Sequence, residues 1–210
     1  MRCPTQQRPS HESEDFAKPK SSGRVSSVLV LGIDPGTIHL GWGVVERRGP
    51  KLVHIGHGVI HARPSESLSD RLAVIAAELE RVIAEHRPAL GSVEQLFFHK
   101  DPQAAAKLGH ARGVVLLSLA RAGVPLREHA PARIKRTLTG NGRAEKSQVA
   151  QMVSAILGIR EALPPDASDA LAIAITELRL DPLTPQVVQK PRRTRSKTLP
   201  PHVTRLVRAP

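Results

Sequence analysis

The chain has a single cysteine, Cys3, which lies in a polar N-terminal stretch, so an internal disulfide is excluded. No apolar run approaches the roughly 18–20 residues that a membrane-spanning helix requires. Residues 1–24 also lack the hydrophobic segment of a secretory signal. These absences predict a protein of the cytoplasm without disulfides or membrane spans.

Acidic residues are missing from the C-terminal stretch 182–210, which holds seven Lys or Arg residues. Of the net charge of +12, this tail carries +7 and the leader 1–24 carries +2, which leaves +3 for residues 25–181. A basic tail attracts polyanions without selectivity, or it keeps a chain soluble. The charge therefore hints at nucleic acid without identifying it as the ligand.

The leader 1–24 and the tail 182–210 are rich in polar residues and proline and poor in apolar ones, so we expect both to be disordered. Residues 25–181 are enough for one domain with a substantial core. No internal repeat is present in the sequence.

The hydrophobic pattern predicts an α/β domain. Three β-type runs joined by short turns predict an antiparallel meander, and later strands alternate with helical stretches, which predicts a mixed sheet of five strands with helices on both faces. The predicted strands are 27–34, 40–47, 51–61, a short strand ending near Glu94, and 124–129. The predicted helices are one with an apolar stripe from Leu68 to Ile83, one from Asp101-Pro102 to about Ala122, and 131–138, 144–157 and 166–180.

Four acids fall at the ends of these elements. Asp34 ends the first strand, Glu94 ends the fourth, and Asp166 and Asp169 share one face at the start of the last helix. If the first and fourth strands are neighbours, all four carboxylates meet. Crowded carboxylates repel one another unless a cation lies between them, and oxygen ligands favour Mg²⁺ or Mn²⁺. Two such ions together promote hydrolysis of phosphodiesters.

Each acid also has an ordinary explanation. Asp166 and Asp169 suit a helix N-terminus, Asp34 before Pro-Gly suits a turn, and Glu94 suits a strand edge. The hypothesis of a metal site depends on the combination. The histidines on the predicted strands alternate like surface or sheet positions and do not form a zinc motif; they are His39, His54, His57 and His61.

Five segments stand in order and with suitable spacing over residues 28–177: LGIDPGTIHLGWGVV, SVEQLFFHKD, AAAKLGHARGVVL, GRAEKSQVAQMV and PDASDALAIAI. Together they resemble the RuvC family of Holliday-junction resolvases. The resemblance implies an RNase H-like fold, a homodimer, and an Mg²⁺-dependent enzyme that nicks two strands of a four-way DNA junction symmetrically and leaves 5′-phosphate ends. It assigns catalysis and metal binding to Asp34, Glu94, Asp166 and Asp169, with Mn²⁺ as a substitute metal. A branch-migration helicase is a further expected partner.

The segment 133–146 holds five basic residues and one acid. Gly140 and Gly142 would let backbone approach a phosphate, and the helix predicted from about residue 144 would present its positive end. The resemblance selects Lys135 and Lys146 as phosphate contacts, with Arg143 a weaker choice. A solvated basic loop is the alternative.

Phe97 and Phe98 are two of only three phenylalanines in a chain that has one tryptophan and no tyrosine. Neighbouring residues of an extended segment point to opposite sides, so one of them is free to stack on a base at the open centre of a junction. The resemblance favours Phe97 for this role, and a place in the core is the alternative.

Small residues recur every fourth position on the second helix, at Ala105, Gly109 and Gly113. This face packs either on the chain's own sheet or on a second copy, and we favour the second copy. Other functions remain open from the sequence: an RNase H-like nuclease acting on structured RNA, or an inactive protein that binds branched DNA. An actin-like ATPase is disfavoured because no second phosphate loop follows the first.

Overall fold

The computed structural model describes residues 27–95 and 102–180. The predicted order of elements is confirmed in these residues, with boundaries close to those expected. The expectations for the leader, the tail, Phe97 and the Asp101 cap lie outside the described residues. The elements are β1 Val28–Asp34, β2 His39–Arg48, β3 Lys51–His61, α1 Leu68–His86, β4 Leu90–Glu94, α2 Pro102–Arg121, β5 Leu126–His129, α3 Pro131–Thr139, α4 Lys146–Leu157 and α5 Pro165–Leu180.

The strands form one mixed sheet with the order β3-β2-β1-β4-β5. The first three strands pair antiparallel, as the short turns predicted. Helix α1 then carries the chain across the sheet, so that β4 pairs parallel with β1 and β5 pairs parallel with β4. The first and fourth strands are therefore neighbours, as the hypothesis of a metal site requires.

Helices cover both faces of the sheet, because the strands are apolar on both sides. On one face, Leu31 and Ile33 of β1 pack in a cluster with α1 and α2. On the other face, Val30 packs with α3, α4 and α5. In the described ranges, no helix is long and apolar enough to cross a membrane.

Helix α5 lies directly against the backbone of β1 and β2 at three glycines. A Cβ added at Gly32 would lie 2.0 Å from the carbonyl oxygen of Ala170, and one at Gly41 would lie 2.0 Å from that of Asp166. At Gly43 the added Cβ would lie 2.6 Å from Cγ of Leu171. These glycines allow α5 to pack so close to the sheet, and every residue from Ala167 to Leu178 except Asp169 is buried as a result.

We predict that Gly32→Ala lowers the free energy of unfolding by about 1–3 kcal/mol, because the new methyl group meets a helix carbonyl that no rotamer change can move. Gly56→Ala is the matched control, since its added Cβ comes no nearer than 3.4 Å to another heavy atom. Urea unfolding of both variants measures the difference. Equal loss of stability in the two variants would contradict the close-packing argument.

Candidate active site

Asp34 and Glu94 lie side by side at the carboxyl edge of the sheet. Ile33 is paired with Val93 in the parallel register of β1 and β4. The next residue of each strand is therefore Asp34 or Glu94, at the point where both strands end. Two strand ends thus supply two of the four predicted acids.

The first turn of α5 brings the other two acids to the same edge. Asp34 is paired with Gly41 on β2, and the missing side chain of Gly41 leaves room for the backbone of Asp166. Asp169 follows three residues later on the same face of the helix. The predicted convergence depends on this glycine, whose role the sequence analysis did not identify.

The electrostatics of Asp34 reflect this crowding. Burial, the largest cause, and the negative charges of Asp169, Glu94 and Asp166, in that order, together raise its pKa from the ordinary 3.8 to about 7. The ammonium group of Lys146 acts in the opposite direction. A carboxylate held among three others in this way gains from any cation placed between them.

Lys146 is in direct contact with the acids. Its Nζ lies 3.0 Å from Oδ2 of Asp169, an ion pair that leaves 85% of the lysine side chain exposed. The hydrogen bond to Asp169, with the charges of Asp34 and Glu94, raises the pKa of Lys146. We predicted this lysine as a phosphate contact, and the structure places it at the rim of the acidic group.

The acids line a cleft of about 470 Å³ at the carboxyl edge of the sheet. Three of the predicted acids border it, with Lys135 and Lys146, while Asp166 and Arg143 are not among the lining residues. Most of the remaining lining residues are apolar. The cleft is lined by Asp34, Pro35, Glu94, Gln95, Leu108, Pro131, Ile134, Lys135, Lys146, Val149, Asp169, Ala172 and Ile173.

Two details of the basic segment differ from the prediction. Helix α4 begins at Lys146 rather than near Ala144. Glu145 precedes it and forms a capping box with Gln148. Backbone amides that were expected to face a phosphate are therefore hydrogen-bonded to side chains of the protein itself. Gly140 has φ +79° and ends α3 in the left-handed conformation. Its glycine is therefore explained by the helix end.

The strand histidines lie outside the cleft, as predicted for sheet positions. Ring nitrogens of His39 and His61, which face each other across β2 and β3, are 2.9 Å apart, and those of His54 and His57 are also 2.9 Å apart. Residues 27–95 and 102–180 contain no close group of three or more His, Cys, Asp or Glu side chains of the kind that encloses an ion. The four carboxylates of the acid cluster nevertheless fit a divalent cation by their chemistry, since oxygen ligands suit such ions and a cation would offset the repulsion on Asp34.

The sheet order, the crossover between β1 and β4, and acids at two parallel strand ends define the class of this protein as an α/β enzyme of RNase H-like fold. Comparison with known proteins makes the class more specific. Residues 30–177 match the family model for crossover junction endodeoxyribonuclease RuvC.

Curated relatives share this description. The chain is 58% identical over 149 residues to crossover junction endodeoxyribonuclease RuvC of Sorangium cellulosum, which covers 71% of this chain and 83% of the relative. It is 46% identical over 155 residues to the enzyme of Methylocella silvestris, covering 74% and 88%.

Solved structures agree. RuvC of Thermus thermophilus in complex with a Holliday junction substrate is 40% identical, with a TM-score of 0.68 over 72% of this chain and 93% of that one. The yeast mitochondrial Holliday junction resolvase, at 13% identity and a TM-score of 0.52 over 71% and 78%, shares the fold. The chain belongs to the RuvC family of crossover junction endodeoxyribonucleases, which confirms the resemblance found in the sequence.

The raised pKa of Asp34 predicts a pH-dependent stability of the metal-free protein. The stability that goes with the neutral carboxyl is complete below its ordinary value of 3.8 and is lost as the pH rises through about 7. In EDTA at pH 8, Asp34→Asn is therefore expected to melt at least about 2–4 °C above wild type, the shift that ~1 kcal/mol produces.

Melting curves between pH 4 and pH 8 test this expectation, and the gap between variant and wild type is expected to close toward pH 4. Added Mg²⁺ is expected to stabilise wild type more than the variant. A gap that does not change with pH would contradict the raised pKa of Asp34 and its causes, burial and the neighbouring negative charges.

Proposed function

We propose that this enzyme resolves four-way DNA junctions by two symmetric, metal-dependent nicks, with Asp34, Glu94, Asp166 and Asp169 as the metal-holding acids. The observation that supports this most directly is the burial of Asp34 among three other carboxylates at the edge of the sheet. The relative from Thermus thermophilus is described in complex with a Holliday junction substrate, which supports the same substrate here.

The residues divide the work by position. Asp34, whose charge interacts with the other three acids, would hold divalent cations together with Glu94, Asp166 and Asp169. Divalent cations held there supply an activated water and offset the negative charge that develops on the leaving oxygen. Lys146, beside Asp169, would add a positive charge near the phosphate to be cut.

DNA contacts are proposed for residues around the cleft. Lys135 on α3 and Lys146 on α4 border it, so a strand lying over the acids meets both. Arg143 is exposed outside the cleft, and its backbone N–H donates to Oδ1 of Asn141 at 3.0 Å, which suits a more distant phosphate. Phe97, outside the described residues, remains the prediction for stacking at the junction centre.

We predict that Asp34→Asn reduces junction cleavage by more than about 1000-fold while junction affinity changes less than about threefold, because the carboxylate serves the metals and the lysines serve the DNA. Cleavage is measured in Mg²⁺, and binding in Ca²⁺ or EDTA. Four-way DNA, duplex DNA and structured RNA are compared as substrates. Cleavage by the variant close to the wild-type rate, or equal cutting of all three substrates, would contradict the proposal.

Lys146→Ala is expected to affect junction binding, whereas Asp34→Asn is expected to affect cleavage. It is expected to weaken junction binding and to lower the slope of log affinity against log salt by about one, as for one lost phosphate contact. Arg81→Ala is the control, since Arg81 on α1 pairs with Glu78 on the far face of the sheet. If both variants have the same slope as wild type, Lys146 is not a phosphate contact.

A homodimer is the proposed active form, and the exposed face of α2 supports it. A Cβ added at Gly109 or Gly113 would meet nothing within 4 Å. One turn further on, Leu116 and Leu117 are 40% and 58% exposed. In the described residues this stripe is not packed on the chain's own sheet, which leaves a second copy as the proposed occupant.

We predict that heterodimers of wild type and Asp34→Asn nick only one strand of a junction. Each chain supplies one set of four acids, and a two-fold dimer presents two sets to a nearly two-fold substrate. On a supercoiled plasmid that extrudes a cruciform, paired cuts give linear DNA and a single cut gives nicked circles. Heterodimers purified through two different tags are expected to give nicked circles. Linear product from a single binding event would contradict the model.

A further inference from the structure

Arg112 of α2 is a buried arginine outside the acidic group. Only 10% of its side chain is exposed. Its Nη1 donates to the backbone carbonyl of Glu94 at 2.9 Å, and its Nη2 lies 2.5 Å from Oε1 of Glu128 on β5. The guanidinium therefore connects three elements, α2, β4 and β5, at the edge of the sheet that carries the acids.

Such a group is costly unless its partners are well placed. Removing a guanidinium from water carries a penalty of several kcal/mol, which charge-assisted hydrogen bonds must offset. Glu128 supplies the opposite charge, but 41% of its side chain is exposed. An ion pair with Glu128 alone would therefore not require the arginine to be buried. The second partner, the carbonyl of Glu94, is what requires the arginine to reach under the end of β4.

The end of β4 needs this support. Glu94 is the last residue of the strand, and β4 is held there by its pairing with β5, where Glu94 is opposite His129 and the N–H of Gln95 donates to the carbonyl of His129 at 2.9 Å. The hydrogen bond from Arg112 holds the carbonyl of Glu94 from the helix layer, whereas the pairing with β5 holds the strand end within the sheet. The peptide plane after Glu94 is thereby held from two sides.

We infer that Arg112 is a positioning residue, which holds the backbone of Glu94 so that its carboxylate reaches the divalent cations next to Asp34. The inference rests on the proposed role of Glu94 as a metal-holding acid. Arg112 is not among the residues that line the cleft, and its bond to Glu94 is made to the main-chain carbonyl. Partners that orient metal ligands in this way typically change metal affinity or activity about 10- to 100-fold when they are replaced.

Mn²⁺ binding to the DNA-free protein, followed by electron paramagnetic resonance, tests the inference without relying on activity. Arg112→Lys and Arg112→Gln are expected to weaken Mn²⁺ binding at least about tenfold. In cleavage assays they are expected to lower kcat and raise the Mg²⁺ concentration for half-maximal rate, with junction affinity in Ca²⁺ unchanged.

Val115→Ala is the matched control, since Val115 lies one turn along the same helix, is fully buried and packs in the core. It is expected to lower the melting temperature with no change in Mn²⁺ affinity. If the Arg112 variants and Val115→Ala shift Mn²⁺ affinity equally, Arg112 has only a structural role and the inference is wrong.

Glu128→Ala keeps the experiment decisive if the Arg112 variants do not fold. Its side chain is partly exposed, so the variant is expected to fold, and by releasing Arg112 from one partner it is expected to weaken Mn²⁺ binding severalfold. Unchanged binding in folded Glu128→Ala would overturn the inference.

Glu94→Gln separates this inference from the proposed function. If Glu94→Gln cuts junctions as wild type does, the proposed role of Glu94 fails and the inference fails with it. If Glu94→Gln is inactive but Arg112→Lys and Arg112→Gln bind Mn²⁺ normally, the proposed function stands and only the positioning role is overturned.

Discussion

The direct contact between α5 and the backbone of β1 and β2 is the constraint on which the rest of the structure depends. At Gly32, Gly41 and Gly43 no strand side chain separates the sheet from the helix. The helix also has small residues here, the buried alanines Ala167, Ala170 and Ala174. The helix therefore lies at one fixed height and one fixed register. Its first turn is brought to the strand end that carries Asp34.

This packing also brings four carboxylates together, and their mutual repulsion opposes folding. The fold places four carboxylates where burial and mutual repulsion disfavour the charged state of Asp34. The gain from burying the apolar part of α5 offsets that cost, since the hydrophobic effect is the dominant favourable contribution to folding. Lys146 relieves part of the repulsion through its ion pair with Asp169. The site is thus assembled by hydrophobic packing some distance from the charges themselves.

Most of the architecture was predictable from the sequence, because the strands and helices follow from the local spacing of apolar residues. Period-two runs with short turns gave the meander, and the apolar stripe between Leu68 and Ile83 gave α1. The meeting of Asp34 and Glu94 required one further assumption, that strands one and four are neighbours, which is confirmed. Choosing Lys135 and Lys146 among five basic residues relied on resemblance to a family and not on pattern.

The parts that the sequence did not reveal are contacts between distant segments. Nothing local distinguishes Gly41, which must admit the backbone of Asp166, from Gly56, which need not. Arg112 resembles any helical arginine until β4 and β5 are placed beside it. The sequence prediction places the start of α4 two residues early, because Glu145 forms a capping box with Gln148 and the helix begins only after it. A search for S/T/D/N/E followed three residues later by Gln or Glu would have found it.

The glycine contact also determines which second mutations can restore a damaged protein. A side chain that clashes with another side chain is repaired by trimming the partner. At Gly32 and Gly41 the opposing atoms are carbonyl oxygens of α5, which every amino acid carries, so no single replacement at Ala170 or Asp166 removes the obstacle. Relief would require the whole helix to shift, and that would carry Asp166 and Asp169 away from Asp34. Genetic suppressors of substitutions at these two glycines are therefore expected to be absent from the facing residues of α5, although a core substitution between side chains can be rescued by its neighbour.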